Sequence, residues 1–309
     1  MPATTARKIE GSTMKVLFLT ISLILTQAVV MAHEVIGYLP EYRVSDQTLA
    51  SMKHCTDVVY FGNTLAADGS ITMSPVASKH LKTIKSRLQG TDTRLILCLG
   101  GWKKDEHFPA VTSSEQSRVT FAETLAKFAK KYDIDGVDLD WEYPKNAQQW
   151  HDLGKLIAAG KKAMGARPFI WSVAVHPRHL IPNEVVKQLD RIHLMTYDAG
   201  KKHCDTTVAQ TAIQEWKKRG VPANKLCIGV AFYGRKMENR NEVKTYAELF
   251  QIYGKAVQQS QTAGGFFYDN PRSCRIKKEM VTSHQLRGLI VWEIGQDARG
   301  EAALLPLLK

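Results

Sequence analysis

Ile134-Asp135-Gly136-Val137-Asp138-Leu139-Asp140-Trp141-Glu142-Tyr143-Pro144 is the stretch on which both fold and chemistry turn. A β-strand sends alternate side chains to one face. Asp138, Asp140 and Glu142 therefore share a face, while Val137, Leu139 and Trp141 take the other; Asp135 is off that parity and the strand reading does not place it. Three carboxylates on an inward row are costly, because burial and mutual repulsion favour protonating at least one of them. A carboxyl kept protonated near neutral pH is what an acid catalyst requires. Alternate acids also occur in calcium loops, but those need glycine at the sixth position, which counted from Asp135 is Asp140.

The β-rich run here is Gly136–Asp140, and similar runs flank it on both sides: Val35–Leu39, Asp57–Phe61, Arg94–Leu99, Phe169–Val175, Arg191–Thr196, Leu226–Ala231 and Leu289–Trp292. Most are unbroken Val, Ile and Leu segments, as expected of parallel strands covered on both faces. Helical patterns lie between them: one from Ser114 to Lys131, then Gln148–Met164, Asn183–Leu189, Thr207–Arg219 and Thr245–Gln259. Gly90 and Gly220 supply stop signals after helices. Eight strands alternating with helices predict an α/β fold, a closed (β/α)8 TIM barrel in one domain over residues 33–309. An open doubly wound sheet fits less well, since no Gly-rich phosphate fingerprint follows the first strand. In a barrel, Glu142 stands nearest the C-terminal end of its strand, where barrel active sites sit.

The residues now resemble a known family. Asp135-x-x-Asp138-x-Asp140-x-Glu142, followed by Tyr143-Pro144, is similar to the DxxDxDxE signature of glycoside hydrolase family 18, the chitinases and their relatives. Cys98-Leu99-Gly100-Gly101-Trp102 resembles the family's SxGG segment, with Cys98 where serine is usual. Met195-Thr196-Tyr197-Asp198 resembles its MxYD segment, Phe232-Tyr233-Gly234-Arg235 its YGR turn, and Ile290-Val291-Trp292-Glu293 its eighth-strand tryptophan. Only 28 residues separate Arg235 from Gly264. That leaves no room for the large α+β insertion of many members, so a shallow, open groove is expected.

The resemblance implies a retaining, substrate-assisted glycosidase. Glu142 would be the acid, Asp140 would orient the substrate's acetamido group, Asp138 would share a proton with Asp140, and Tyr197 would hold the acetamido group from the other side. Trp292 would floor the pocket, Asp198 and Met195 would complete it, and Tyr38, Gly101, Trp102 and Tyr143 would line neighbouring subsites. Aromatic side chains suit sugar rings, whose C–H faces are apolar. The implied partner is a polysaccharide or oligosaccharide containing N-acetylglucosamine, with no metal or organic cofactor. Chitin comes first; N-glycans and peptidoglycan are alternatives with the same chemistry. A silent chitin-binding lectin is the reading from another class, and retention of Glu142 counts against it.

Outside these motifs, Val16–Met31 is the one long apolar run. With Lys15 before it and Val30-Met31-Ala32 at its end, it reads as a secretory signal cut after Ala32. Residues 1–32 are thus an N-terminal extension and signal, with Met14 a candidate start, and the product is expected to be secreted or periplasmic without stable membrane insertion. The formal charge is +12; residues 1–32 carry three basic and one acidic side chain, which leaves the remainder at +10. Lys and Arg are dispersed, so a solvated basic surface rather than nucleic-acid binding is expected, on a monomer. Cys55, Cys98, Cys204, Cys227 and Cys274 match no metal spacing and specify no disulfide pattern. His176, His193 and His203 read as satisfied or exposed histidines, not ligands.

Overall fold

The alternating runs close into a ring in the computed structural model, which describes residues 33–309 together with Met1. The signal segment and the candidate start at Met14 lie outside the described residues. The ring strands are β1 (Glu34–Pro40), β2 (Asp57–Leu65), β3 (Arg94–Gly100), β4 (Gly136–Asp140), β5 (Ile170–Val175), β6 (Arg191–Leu194), β7 (Leu226–Ala231) and β8 (Gly288–Trp292). Each pairs in parallel with its neighbours, and β1 pairs with both β8 and β2, which closes the barrel. Cys98, Asp138 and Ser172 lie level with one another across β3, β4 and β5.

Strand parity divides the core in two. Val35, Val58, Leu95, Val137, Leu139, Ile192 and Ile228 pack outward under the helices. Ile36, Tyr38, Val59, Phe61, Ile96, Cys98, Cys227 and Ile290 fill the barrel interior with Tyr197. Local chemistry sets the helix ends. Glu115–Tyr132 starts where Ser114 accepts the Ser117 N–H and stops where Asp133 turns left-handed at φ 51°. Ala147–Met164 starts at Asn146, which accepts the Gln149 N–H. Its Gly160 is required: a Cβ there would lie 2.2 Å from the buried Trp171 ring.

Two expectations are corrected. The single helix over Thr245–Gln259 is two, Tyr246–Tyr253 and Ala256–Gln259, because Gly254 turns left-handed (φ 57°) between them. The groove is also not as open as predicted. The segment too short for a large insertion still builds a four-stranded antiparallel sheet from Tyr233–Lys236, Val243–Thr245, Thr262–Ala263 and Phe266–Tyr268, and this sheet walls one side of the barrel mouth. All five cysteines are buried, and none is joined to another. Among the described residues, no helix is long and apolar enough to cross a membrane.

The N-terminal end of the barrel is closed by charge. Arg191 crosses the interior to Glu34 (2.8 Å) and Asp57 (3.0 Å), and Arg94 joins the same two carboxylates. Asp135, the off-parity acid, belongs to the scaffold: it accepts the Leu95 N–H at 2.8 Å and faces Lys85 at 3.4 Å.

Candidate active site

A cavity of about 640 Å³ opens at the C-terminal mouth. Asp140, Glu142, Tyr143, Met195, Tyr197, Asp198, Trp292, Tyr38 and Trp102 all line it, so the structure brings most of the sequence-derived site together. Asp138 lies beneath it, fully buried, with Asp140 next above and Glu142 beyond the end of β4. The parity of the row holds past the strand because the chain is tied there: the Glu142 N–H donates to Asp105 Oδ2 at 3.1 Å. On the opposite face Trp141 stacks on Phe108 at 5.4 Å, which anchors the row from behind.

The three acids sit in different environments. Burial pushes the Asp138 carboxyl up, but facing His193 and accepting hydrogen bonds from His193, Ser172 and Tyr38 outweigh that and hold it below its ordinary value. Asp140 has no such support: burial first, then the charges of Glu142, Asp138 and Asp105, push it well up. No donor among the described residues reaches its Oδ1. Glu142 is raised by burial, partly countered by the Tyr143 hydroxyl, with Asp105 and Asp198 adding to the rise. The upper two carboxyls therefore favour holding protons while the lowest favours its anion, the separation of roles that acid catalysis uses.

The surrounding side chains have distinct jobs. Gly101 sits at φ 93°, and a Cβ there would lie 2.2 Å from the Phe61 ring and 3.0 Å from Asp140 Oδ2. Glycine lets the loop fold tightly over the row, where its N–H donates to the Asp140 carbonyl at 2.6 Å. Trp292 meets Phe61 edge-on at 5.0 Å and leans on Tyr38 at 5.6 Å, so its indole is held from below and from one side. Tyr197, raised by burial and the nearby carboxylates, keeps its phenol neutral. Asp198 stands as an anion: burial raises its carboxyl, but hydrogen bonds donated by the Arg235 guanidinium and the Tyr233 hydroxyl, with His203 facing it, outweigh that. Trp102 is 71 % exposed at the rim.

Tyr38 has a second task beyond the one expected of it. It lines the cavity yet is only 2 % exposed, and its hydroxyl lies 2.7 Å from Asp138 Oδ2 and 2.8 Å from His193 Nδ1, so it also supports the row from below. Cys98, in the serine position, is also buried there; burial and then the charges of Asp140 and Asp138 keep it a neutral thiol. Sequence reading missed Ser172 and Asp105, and also Arg240 and Asn241, which line the cavity, and it passed over His193 as an ordinary histidine. Ser172 and His193 carried a signal, each being polar within a run of buried apolar residues. Asp105, on a loop, carried none.

A closed (β/α)8 barrel with graded carboxylates rising to an aromatic-walled mouth defines the class. Within that class, the chain belongs to glycosyl hydrolases family 18, which residues 34–297 match. It is similar to Chitinase 1 of Aphanocladium album, 26% identical over 70% of this chain and 65% of that protein. It also resembles an endochitinase of Manduca sexta, 25% identical over 69% of this chain and 45% of that protein. The chain thus spans about two thirds or less of these curated relatives. The fold matches the GH18 chitinase ChiB from the chitin utilization locus of Flavobacterium johnsoniae, with TM-score 0.78 and 21% identity over 89% of this chain and 92% of that one. The class V chitinase of Nicotiana tobaccum aligns at TM-score 0.77 and 19% identity over 90% and 98%.

Proposed function

We propose that this chain is a retaining glycosidase that cleaves β-1,4 bonds next to N-acetylglucosamine, in chitin or chito-oligosaccharides, with the substrate's own acetamido group as nucleophile. The observation that carries the reading is the pair of raised carboxyls, Asp140 and Glu142, opposite the neutral Tyr197 in one cavity. Family membership supports it, as does the description of the two relatives above as chitinases.

In this reading Glu142 gives its proton to the glycosidic oxygen as the bond to the anomeric carbon breaks. The acetamido carbonyl oxygen attacks that carbon and closes an oxazolinium ring. Asp140 takes the acetamido N–H on its unpartnered Oδ1, and the negative charge held below on Asp138 stabilises the cation. Glu142 then draws a proton from water, which opens the ring with retention. Trp292 stacks under the reacting sugar, and Trp102 and Tyr143 serve its neighbours.

Product analysis on chito-oligosaccharides, N-glycans and peptidoglycan side by side tests the substrate. Release from the first substrate alone supports the proposal; exclusive release from either of the others would replace it with a relative of the same chemistry, and tight binding without release would favour a lectin. The export reading of Lys15–Ala32 stands as part of the proposal. N-terminal sequencing of the protein recovered outside the cell should begin at His33.

The pH profile has a defined sign. Glu142 works as an acid only while protonated, so raising the pH through its elevated pKa removes activity. Asp105→Asn keeps an acceptor for the Glu142 N–H and deletes a charge that pushes up both Asp140 and Glu142. The alkaline limb of kcat/KM should move to lower pH by roughly half a unit to one unit. An unmoved or upward-moving limb would remove Asp105 from the electrostatics of the site.

A further inference from the structure

The hairpin that joins Tyr233–Lys236 to Val243–Thr245 carries a guanidinium that the proposed reaction does not use. Arg240, on its exposed turn, lines the cavity beside Arg235 and Asn241. It is held at two points. Its carbonyl accepts the Arg235 Nη1–H at 2.9 Å, and its own Nη2–H donates to the Asp198 carbonyl at 2.6 Å. The cations around it are matched: Arg235 meets the Asp198 carboxylate at 3.0 Å, Lys236 meets Glu242 at 3.0 Å and Lys201 meets Glu238 at 3.7 Å. The Lys244 ammonium lies 5.7 Å from the centre of the Phe266 ring. Arg240 alone of the two guanidiniums lining the cavity has no carboxylate partner among the described residues. A guanidinium offers five N–H donors and no acceptor. A group that meets Arg240 in the mouth is therefore favoured if it brings an acceptor and disfavoured if it brings positive charge.

The position of Arg240 says which sugar it meets. Its anchor, Asp198, is close enough to Glu142, Tyr143 and His176 for its charge to act on all three. Glu142 is the group that protonates the bond to the leaving sugar, so Arg240 hangs over the half of the mouth that receives that sugar. We infer that Arg240 is a specificity-determining residue, which selects an N-acetylated leaving sugar over one that carries a free amine. The inference rests on the glycosidase reading above and adds to it a preference on the far side of the broken bond. An acetamido carbonyl accepts a guanidinium N–H, whereas an ammonium has three donors, no acceptor and a like charge. Nothing nearby offsets that repulsion: Asp140 and Glu142 favour holding protons, Asp198 is engaged by Arg235, and Asn241 is uncharged.

The test is digestion of partially N-acetylated chitosan oligomers of known sequence, at a mildly acid pH where the free amines are protonated. Mass spectrometry identifies the sugars on both sides of each broken bond, and the leaving sugar is the new non-reducing end. In wild type, glucosamine there should fall about three- to tenfold below its share of the substrate, the factor carried by one hydrogen bond and one exposed like-charge contact. About 1 M salt should shrink that bias. Arg240→Gln should bring glucosamine up to its share, and Arg240→Lys, which keeps the charge, should preserve the bias. Glucosamine in proportion to its share in wild type, or a bias that survives in Arg240→Gln, would overturn the inference. The new reducing ends report separately on the glycosidase reading, since glucosamine there breaks neighbouring-group participation whatever stands at the other end. Should wild type release nothing at all, that reading fails, and Arg240 is judged by binding. Isothermal titration with fully acetylated and fully deacetylated chitotetraose should then show the preference for the acetylated form narrowing in Arg240→Gln by about the same three- to tenfold; an unchanged ratio would overturn the inference.

Discussion

Glu142→Gln is expected to lower turnover of a chito-oligosaccharide by about 10²–10⁴-fold and to leave the melting temperature unchanged or slightly raised. The amide has the size of the carboxyl but has no acidic proton to give the leaving oxygen. Structure and activity part company here for a reason visible in the row. Glu142 is the largest electrostatic contributor to the raised Asp140 carboxyl, so its removal relieves repulsion instead of breaking a support. Its backbone N–H still reaches Asp105. Thermal melting and chitobioside release on the same purified sample check both halves. Full activity in the variant would end the assignment of Glu142, and loss of fold would show that its side chain has a structural role.

Arg191→Met should have the largest effect on stability. The guanidinium is 2 % exposed, and Asp57, one of its two partners, is completely buried. Coulomb attraction in so poorly solvated a place is offset by the cost of taking both charges out of water. The intact network therefore says little about net stability, but a broken one leaves a buried carboxylate undercompensated. Arg94 remains within reach of Asp57 and Glu34, yet it approaches from β3 and is itself partly exposed. The expected loss is about 3–5 kcal/mol, read from the denaturant midpoint at unchanged slope. A loss below about 1 kcal/mol would mean that Arg94 alone neutralises both acids. Chitobioside turnover per folded molecule should stay the same, because this network lies at the far end of the barrel from the mouth.

How much was legible in the sequence follows from what each signal depends on. Strands covered on both faces become unbroken apolar runs, so Gly136–Asp140 and Leu226–Ala231 were read to the residue. Strand periodicity then set Asp138 and Asp140 inward and left Asp135 aside, and Asp135 is indeed part of the scaffold. The small sheet at the mouth escaped because its strands are two to four residues long and carry Arg235, Lys236 and Lys244, which show neither alternation nor an apolar run. The sequence places Tyr38 in a neighbouring subsite but says nothing of its hydroxyl, because composition marks a ring as suited to sugar but not which way it faces. Its burial follows from where the barrel closes. His193 was passed over because a lone histidine in a strand is ordinary until the opposite wall is known, and Asp138 lies on that wall, in a strand not adjacent to its own. Contacts that span the barrel or join loops, such as Asp105 to Glu142, leave no periodic trace.

The reaction proposed here makes the sugar's own acetamido group indispensable on one side of the broken bond. Partially N-acetylated chitosan oligomers of known sequence test this most directly, since the reacting sugar becomes the new reducing end of the product. Every new reducing end should carry N-acetylglucosamine, formed initially as the β-anomer. Glucosamine at new reducing ends in proportion to its share of the substrate, or an α-anomer as first product, would contradict it.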